Sequence, residues 1–359
     1  MNASLRILAH PGVAASLSAA FLFGAAAPLA KLLLDQAISP WLLAALLYLG
    51  SGFGLAAWRL LRGAPAVRLN WRDTAWLAAA VGSGGVLGPL LLLWGLAALP
   101  AATASLLLNA EGVFTALLAW FVFRENVDRR VALGMLAIVL GGVVLAWPDQ
   151  AKATAWPAIG LVLAACLAWA VDNNLTRKVA WADASWLAMV KGLAAGSCNL
   201  LLALALGSEW PKAALVLAAG ALGFVSYGAS LVLFVIGLRQ LGTARTGAYF
   251  SVAPFFGAAL AVLLLGEPAT PQLVLAGALM AIGVWLHLSE RHEHAHRHEA
   301  MDHTHEHVHG AGDEHHDHRH EPPVAPGTRH SHPHHHEPLQ HSHPHYPDAH
   351  HRHGHGDPA

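Results

Sequence analysis

Ten stretches of this chain are each long and apolar enough to cross a lipid bilayer, and that limits the fold more than any motif does. They run over residues 13–34, 40–61, 74–97, 101–123, 130–147, 157–177, 185–206, 213–238, 243–265 and 271–288. About twenty apolar residues in a helix span the hydrocarbon core. None of the windows alternates polar and apolar residues as a barrel strand would, so each is predicted to be a helix, which satisfies its own backbone in lipid. The expected fold is an all-α integral membrane protein with ten transmembrane helices. The residue content agrees: 12% of residues are charged, against about 25% in soluble domains. The start, "MNASLRILAHPGVAASLSAAFLFGAAA", has the parts of a secretory signal, but its apolar run continues through Leu34, so residues 1–12 are read as a cytoplasmic N-terminus and the run as a span.

Basic residues fix the expected orientation. With the N-terminus in the cytoplasm, that side receives Arg6, Arg59, Arg62, Arg68, Arg72, Arg124, Arg129, Arg130, Arg177, Lys178, Arg239 and Arg245, and the other side only Lys31, Lys152 and Lys212. Twelve against three is a positive-inside bias that places both termini of a multi-pass cell-membrane protein in the cytoplasm.

A shift of 142 residues overlays the chain on itself. "LLLLWGLAALPAATASLLL" from Leu90 matches "VLFVIGLRQLGTARTGAYF" from Val232, with Gly95 on Gly237, Glu125 on Glu267 and Gly141 on Gly283. Residues 13–147 and 157–288 are thus two five-helix units. An odd number of spans per unit forces the second copy to enter the membrane from the opposite side, so the units are expected to be inverted repeats. That arrangement lets a central cavity open alternately to each face.

On these residues the chain resembles the drug/metabolite transporter superfamily, in its EamA-type branch. The resemblance is carried by "VFTALLAWFVFRENVDRRVALGMLAIVLGGVVL" from Val113 and "FFGAALAVLLLGEPATPQLVLAGALMAIGVWL" from Phe255, and it covers about residues 13–288. Each copy has an apolar helix, a terminal Glu, a short loop and a Gly-bearing helix. The resemblance implies a carrier of small solutes without fixing which. Where the family's fourth helix often carries a proline, this chain has Glu111 and Gly112, while the second half keeps Pro254.

A charge at mid-bilayer costs at least about 2.5–3.5 kcal/mol, so each needs a partner or a task. Glu111, in "SLLLNAEGVFTALL" beside Asn109, is read either as one half of a structural ion pair or as a cavity carboxylate that binds proton or substrate. "AWAVDNNLTRKV" is the densest polar patch. Asp172 and Asn173 are expected to line the cavity, with Thr176 on the same face as Asp172. Lys191 is a natural counter-ion for Glu111 or for an anionic substrate group. Lys31 reads as snorkelling to the external face. Tyr249 and Ser251 complete the candidate substrate-binding set; Tyr48 and Tyr227 are read either as lining the same cavity or as packing. Pro28, Pro89 and Pro254 interrupt helices at depth, and glycines in "GSGFG", "GGVLG" and "GLAAG" read as close-packing seams.

Behind the spans comes a histidine brush. Residues 289–359 hold 12 acidic against 5 basic side chains and twenty-four of the 26 histidines. Such a composition cannot build a core and is expected to be disordered. Neutral imidazoles suit transition metals, so His334, His335, His336, His350, His351 and His353 are candidate loose ligands for Zn, Ni, Co or Cu, with no cofactor required. The spans hold no histidine after His10 apart from His287, which argues against a dedicated metal pathway. Cys166 and Cys198 build neither a disulfide framework nor a zinc site. No G-x-x-x-x-G-K-[ST] loop and no Ser/His/Asp set occurs, so neither ATP-driven transport nor enzymatic activity is expected. A nucleic-acid partner is not expected either.

Together these features predict a secondary transporter, proton-linked and exporting a small organic metabolite or drug-like solute. The alternatives are efflux of a divalent transition metal and a non-transporting membrane metal sensor.

Overall fold

The computed structural model describes residues 11–64, 67, 69–123, 129–147, 156–179, 182–241 and 243–288, together with 293–298, 301–308, 329–336 and 339–344. Seven helices among the described residues are long and apolar enough to cross a membrane, and three shorter apolar helices bring the set to the ten expected spans. In chain order the spans are Pro11–Leu34, Pro40–Leu61, Trp71–Ala98, Ala101–Phe123, Arg129–Ala146, Trp156–Thr176, Ala184–Ala205, Ala213–Leu241, Thr243–Leu265 and Pro271–Leu288.

Local chemistry sets the ends. The second span starts where Ser39 accepts the Leu42 N–H at 3.2 Å and Pro40 opens the first turn. The third starts where Asn70 accepts the Asp73 N–H at 2.8 Å, and the seventh where Asp183 accepts the Trp186 N–H at 2.9 Å. Each is a side chain supplying an acceptor that the first helical turn lacks. The ninth span stops at Gly266, whose φ of 67° suits a glycine closing a helix.

The repeat seen in the sequence reappears as packing. The second span crosses the seventh, the fourth crosses the ninth and the fifth crosses the tenth, each pairing a helix with its own counterpart. The first packs on the eighth as the sixth packs on the third. The repeated glycines sit at these crossings. A Cβ on Gly141 would meet Met280 and one on Gly283 would meet Gly134, both between the fifth and tenth spans. Gly52 and Gly192 bring the second and seventh spans together, a Cβ on Gly192 falling 2.9 Å from Gly52 Cα. Two five-helix units facing each other in opposite senses produce this reciprocal pattern.

Four spans are irregular at matched depths. The fourth breaks at Leu108 and Asn109, between Ala101–Leu107 and Ala110–Phe123, and the ninth at Ser251 and Val252, between Thr243–Phe250 and Ala253–Leu265. The third and eighth widen to π-helix over Val81–Leu87 and Phe224–Ala229. Pro89 explains much of the first widening. It has no N–H, so the carbonyls of Gly84 and Gly85, five and four residues before it, lose their helical donor. Side chains replace it: Tyr48 Oη and Trp169 Nε1 donate to Gly84 O at 3.0 and 2.9 Å, and Asn199 Nδ2 donates to Gly85 O at 3.2 Å.

Residues 291–359 form a separate unit. Its described residues are four short strands. Of these, β1 (Glu293–His298) pairs antiparallel with β4 (Leu339–Pro344), and β2 (Met301–Val308) with β3 (Arg329–His336). Backbone pairing needs no apolar face, and alternating H-x-H sequences suit extended chain. Ladders of only two strands are marginal in water. Candidate ligands His334, His335 and His336 fall on β3, whereas His350, His351 and His353 lie outside the described residues.

Candidate functional site

The two helix breaks and the aromatic residues around them enclose a cavity of about 400 Å³ at the meeting of the two units. This is within the usual range for small-molecule sites, about 300–1,000 Å³. Nine of the ten spans contribute lining residues, all but the seventh, and the two breaks face the cavity, where irregular backbone at depth is tolerated. Asn109 comes from the break in the fourth span and Ser251 from that in the ninth, positions that the 142-residue repeat equates.

Glu111 lies in the cavity wall, in the first turn of the second half of the fourth span. Its Oε1 accepts Asn173 Nδ2 at 2.8 Å, and the same amide reaches Thr115 Oγ1 at 3.5 Å. Asn109 donates through Nδ2 to Leu106 O at 2.9 Å, satisfying a carbonyl at the break, and Ser251 Oγ donates to Gly247 O at 2.8 Å in the same way.

Four of the seven candidate residues therefore share the cavity: Asn109, Glu111, Asn173 and Ser251. The other three lie outside its lining. Lys191 does not pair with Glu111; its Nζ lies 2.6 Å from both oxygens of Asp172 and 3.3 Å from Thr176 Oγ1. Asp172 is buried outside the cavity lining, because one residue's rotation of about 100° separates it from Asn173. The expected sharing of a face by Asp172 and Thr176 is present, at 2.9 Å. Tyr249 is half-buried but not in the lining, since the helix turns its neighbours Phe250 and Ser251 to the cavity instead.

Sequence reasoning overlooked Phe23, Trp169, Phe250 and Ser105. The signal for Trp169 was available, four residues before Asn173 and so on the same helix face. Phe23 and Phe250 form a connected group with Tyr48 and Tyr227. Ring centroids are 5.7 Å apart for Phe23 and Tyr227, 5.3 Å for Phe23 and Phe250, and 5.8 Å for Tyr48 and Tyr227.

Two sets of contacts lie beyond the cavity along the helix axes. At one end Lys31 Nζ donates to Leu96 O and Ala97 O, both at 2.9 Å, capping the third span. Beside it Glu267 accepts the N–H groups of Ala101 and Ala102 at 2.6 and 2.8 Å, joining the second unit to the start of the fourth span. At the other end Arg59 bonds Asp183 and Ser185, tying the second span to the seventh. Burial pushes the Asp183 carboxyl up, but hydrogen bonds from Ser185 Oγ and the Trp186 N–H, with the Arg59 charge, outweigh it and hold the group below the usual carboxylate range. Among the described residues no group of three or more His, Cys, Asp or Glu is arranged to hold a metal ion.

Comparison with known proteins agrees with this architecture. An uncharacterized transporter of Methanothermobacter thermautotrophicus is 32% identical over 63% of this chain and 67% of its own length. A probable amino-acid metabolite efflux pump of Salmonella typhimurium is 26% identical over 53% of this chain and 68% of its own. A probable 4-amino-4-deoxy-L-arabinose-phosphoundecaprenol flippase subunit ArnE of Pseudomonas fluorescens is 40% identical over 26% of this chain and 77% of its own. One crystal structure superposes with a TM-score of 0.58 at 22% identity, covering 77% of this chain and 96% of that one, a likeness of fold alone. The EamA-like transporter family matches at residues 10–147 and again at 156–289, once for each five-helix unit. The chain is a member of that family, a multi-pass membrane transporter of small solutes.

Proposed function

We propose that the protein is a secondary transporter, and not an enzyme, which exports a small organic solute in exchange for protons by alternating access of its two inverted units. The observation that carries this reading is the position of Glu111. It is a carboxylate in a cavity between two broken helices, held by an amide rather than by a cation. A carboxylate that is reached alternately from each face, and that releases its proton when solute binds, is the minimum equipment for such an exchange.

Access and orientation support export. Gly112 and Asn173, at the Glu111 end of the cavity, are exposed, while the opposite end is tied by Glu267 and Lys31. With both termini in the cytoplasm of the cell membrane, as the distribution of Arg and Lys favours, the exposed end faces the cytoplasm and awaits solute from inside. The relative described as an efflux pump supports the same direction.

Reconstituted protein in liposomes tests the reading. An imposed pH gradient should drive solute flux in a screen of amino acids, metabolites and drug-like amines, and Glu111→Gln should abolish the gradient dependence. Flux that ignores the pH gradient would remove the proton from the mechanism. Efflux of a transition metal is disfavoured, because among the described residues the cavity lining contains one carboxylate and no His or Cys.

The tail is proposed as an accessory that binds Zn, Ni, Co or Cu loosely through its histidines. Calorimetry with zinc, on the full chain and on a chain ending at Leu288, should show binding in the first alone.

A further inference from the structure

We infer that the cavity is built for an organic monocation, an ammonium group joined to an aromatic or aliphatic body, in preference to an amino-acid zwitterion or an organic anion. The inference rests on the reading of Glu111 as the exchangeable carboxylate and adds the chemical class of what replaces the proton.

Charge is the first argument. Among the described residues, Glu111 is the single carboxylate of the lining, and none of them is Lys, Arg or His. The two lysines in neighbouring positions are committed elsewhere, Lys191 to Asp172 and Lys31 to the carbonyls of Leu96 and Ala97. An anionic ligand would meet a full negative charge with no opposite side chain among the described residues to answer it.

Hydrogen-bond polarity is the second. Most of the lining's donors are consumed by the protein itself. Tyr48 Oη and Trp169 Nε1 both donate to Gly84 O. Asn109 Nδ2 donates to Leu106 O and Met280 Sδ, Asn173 Nδ2 to Glu111 and Thr115, and Ser251 Oγ to Gly247 O. What these groups leave for a ligand is acceptors: Asn109 Oδ1, the lone pairs of Ser251 and the second oxygen of Glu111. Only the hydroxyls of Ser105 and Tyr227 keep freedom to turn either way. An ammonium carries donors and no acceptor, and so complements such a surface.

The ring system is the third. With their polar hydrogens used, Tyr48 and Trp169 offer a ligand π surface, and Phe23, Tyr227 and Phe250 extend it. Cations are attracted to such faces, most strongly where water is excluded. The helix ends at the breaks do not reverse the balance. Each contributes about half a positive charge. The one in the fourth span already carries Glu111 in its first turn, and the one in the ninth has Pro254, which has no N–H.

Four indole probes of similar size test this on the purified full-length protein, by calorimetry without any gradient: tryptamine, tryptophan, indole-3-propionate and tryptophol. Tryptamine should bind at least tenfold more tightly than the zwitterion, the anion or the neutral alcohol, and Glu111→Gln should remove that margin. Binding of tryptophan or indole-3-propionate as tight as that of tryptamine would overturn the inference, and so would failure of tryptamine and phenethylamine alike to bind. The comparison among probes on the unmodified protein decides the matter even where the variant does not fold. Because no flux is read, a carrier indifferent to pH gradients would still show the preference, and a proton-linked carrier of anions would not.

Discussion

Lys191 and Asp172 meet inside the second unit, the ammonium nitrogen 2.6 Å from both carboxylate oxygens, one residue from the cavity wall at Asn173. Asp172 is 8% and Lys191 20% exposed in their side chains, so neither charge has much water to fall back on. Lys191→Met should therefore cost about 3–5 kcal/mol by stranding a buried carboxylate. The double variant Lys191→Met with Asp172→Asn should recover much of the loss. Thermal unfolding in detergent reads both, and equal losses in the single and double variants would contradict the pairing.

Gly84 is the contact between that pair and the cavity. Its carbonyl holds Tyr48 and Trp169, and a Cβ added there would collide with the Asp172 carboxylate. Gly84→Ala should lower the melting temperature and also alter Trp169 fluorescence, whereas Gly82→Ala, where a Cβ meets nothing within 4 Å, should do neither.

Glu267 joins the two units through the first N–H groups of the fourth span. Glu267→Ala should cost about 0.5–2 kcal/mol, the range for losing a helix cap, and Glu267→Gln, which keeps one acceptor oxygen, should cost less. If the tie closes that end, a cysteine placed at Leu108 should react faster with a membrane-impermeant thiol reagent from the Glu267 side in the alanine variant. Unchanged labelling would show that the contact only stabilises.

Asp183 links acidity to stability. Its carboxyl is held below the usual range, so it contributes stability above the ordinary carboxylate value of about 4 that is lost as pH falls through its folded value. The side chain is 40% exposed, which makes the effect small. Wild type should melt above Asp183→Asn at pH 6, and the gap should close as pH is lowered towards 3.

Gly52 and Gly192 form the seam of the second and seventh spans. Leucine at Gly52 would place its Cβ 2.7 Å from Leu193 N, backbone that cannot give way easily, and should destabilise by about 1–3 kcal/mol. Leucine at Gly220, where a Cβ meets nothing within 4 Å, is the control.

Spans, repeats and their inversion were legible because each follows from a one-dimensional pattern: apolar length, an offset of 142 and an odd count. Glu111 and Asn173 were legible because a polar side chain at depth has few explanations. The pairing of Lys191 was not. Glu111 and Asp172 were both open as partners, and only the rotation of the sixth span decides which side of that helix the lysine meets. The π segments were hidden for a related reason. Nothing in "VGSGGVL" announces a wider turn, and the cause, Pro89, lies beyond it. Phe23, Trp169 and Phe250 read as ordinary apolar residues until the breaks in the fourth and ninth spans turned them to one cavity. In the tail, composition conveyed the lack of a core but not which segments would pair, since backbone pairing leaves little mark on side-chain choice.

The widened turns of the third and eighth spans, at corresponding depths, constrain what lengths these helices can tolerate. A π turn accommodates one residue more than an α turn, so deleting a single residue inside it rewinds the helix to α geometry with both flanks in register, whereas the same deletion in a regular stretch swings everything after it by about 100°. A deletion within Val81–Leu87 should leave Leu92 and Leu93 in the cavity wall, and one within Phe224–Ala229 should leave Gly237 against Ser16. Removing one residue from a regular part of either helix should thus be much worse than removing one from its widened turn, a difference that a uniform greasy rod would not show.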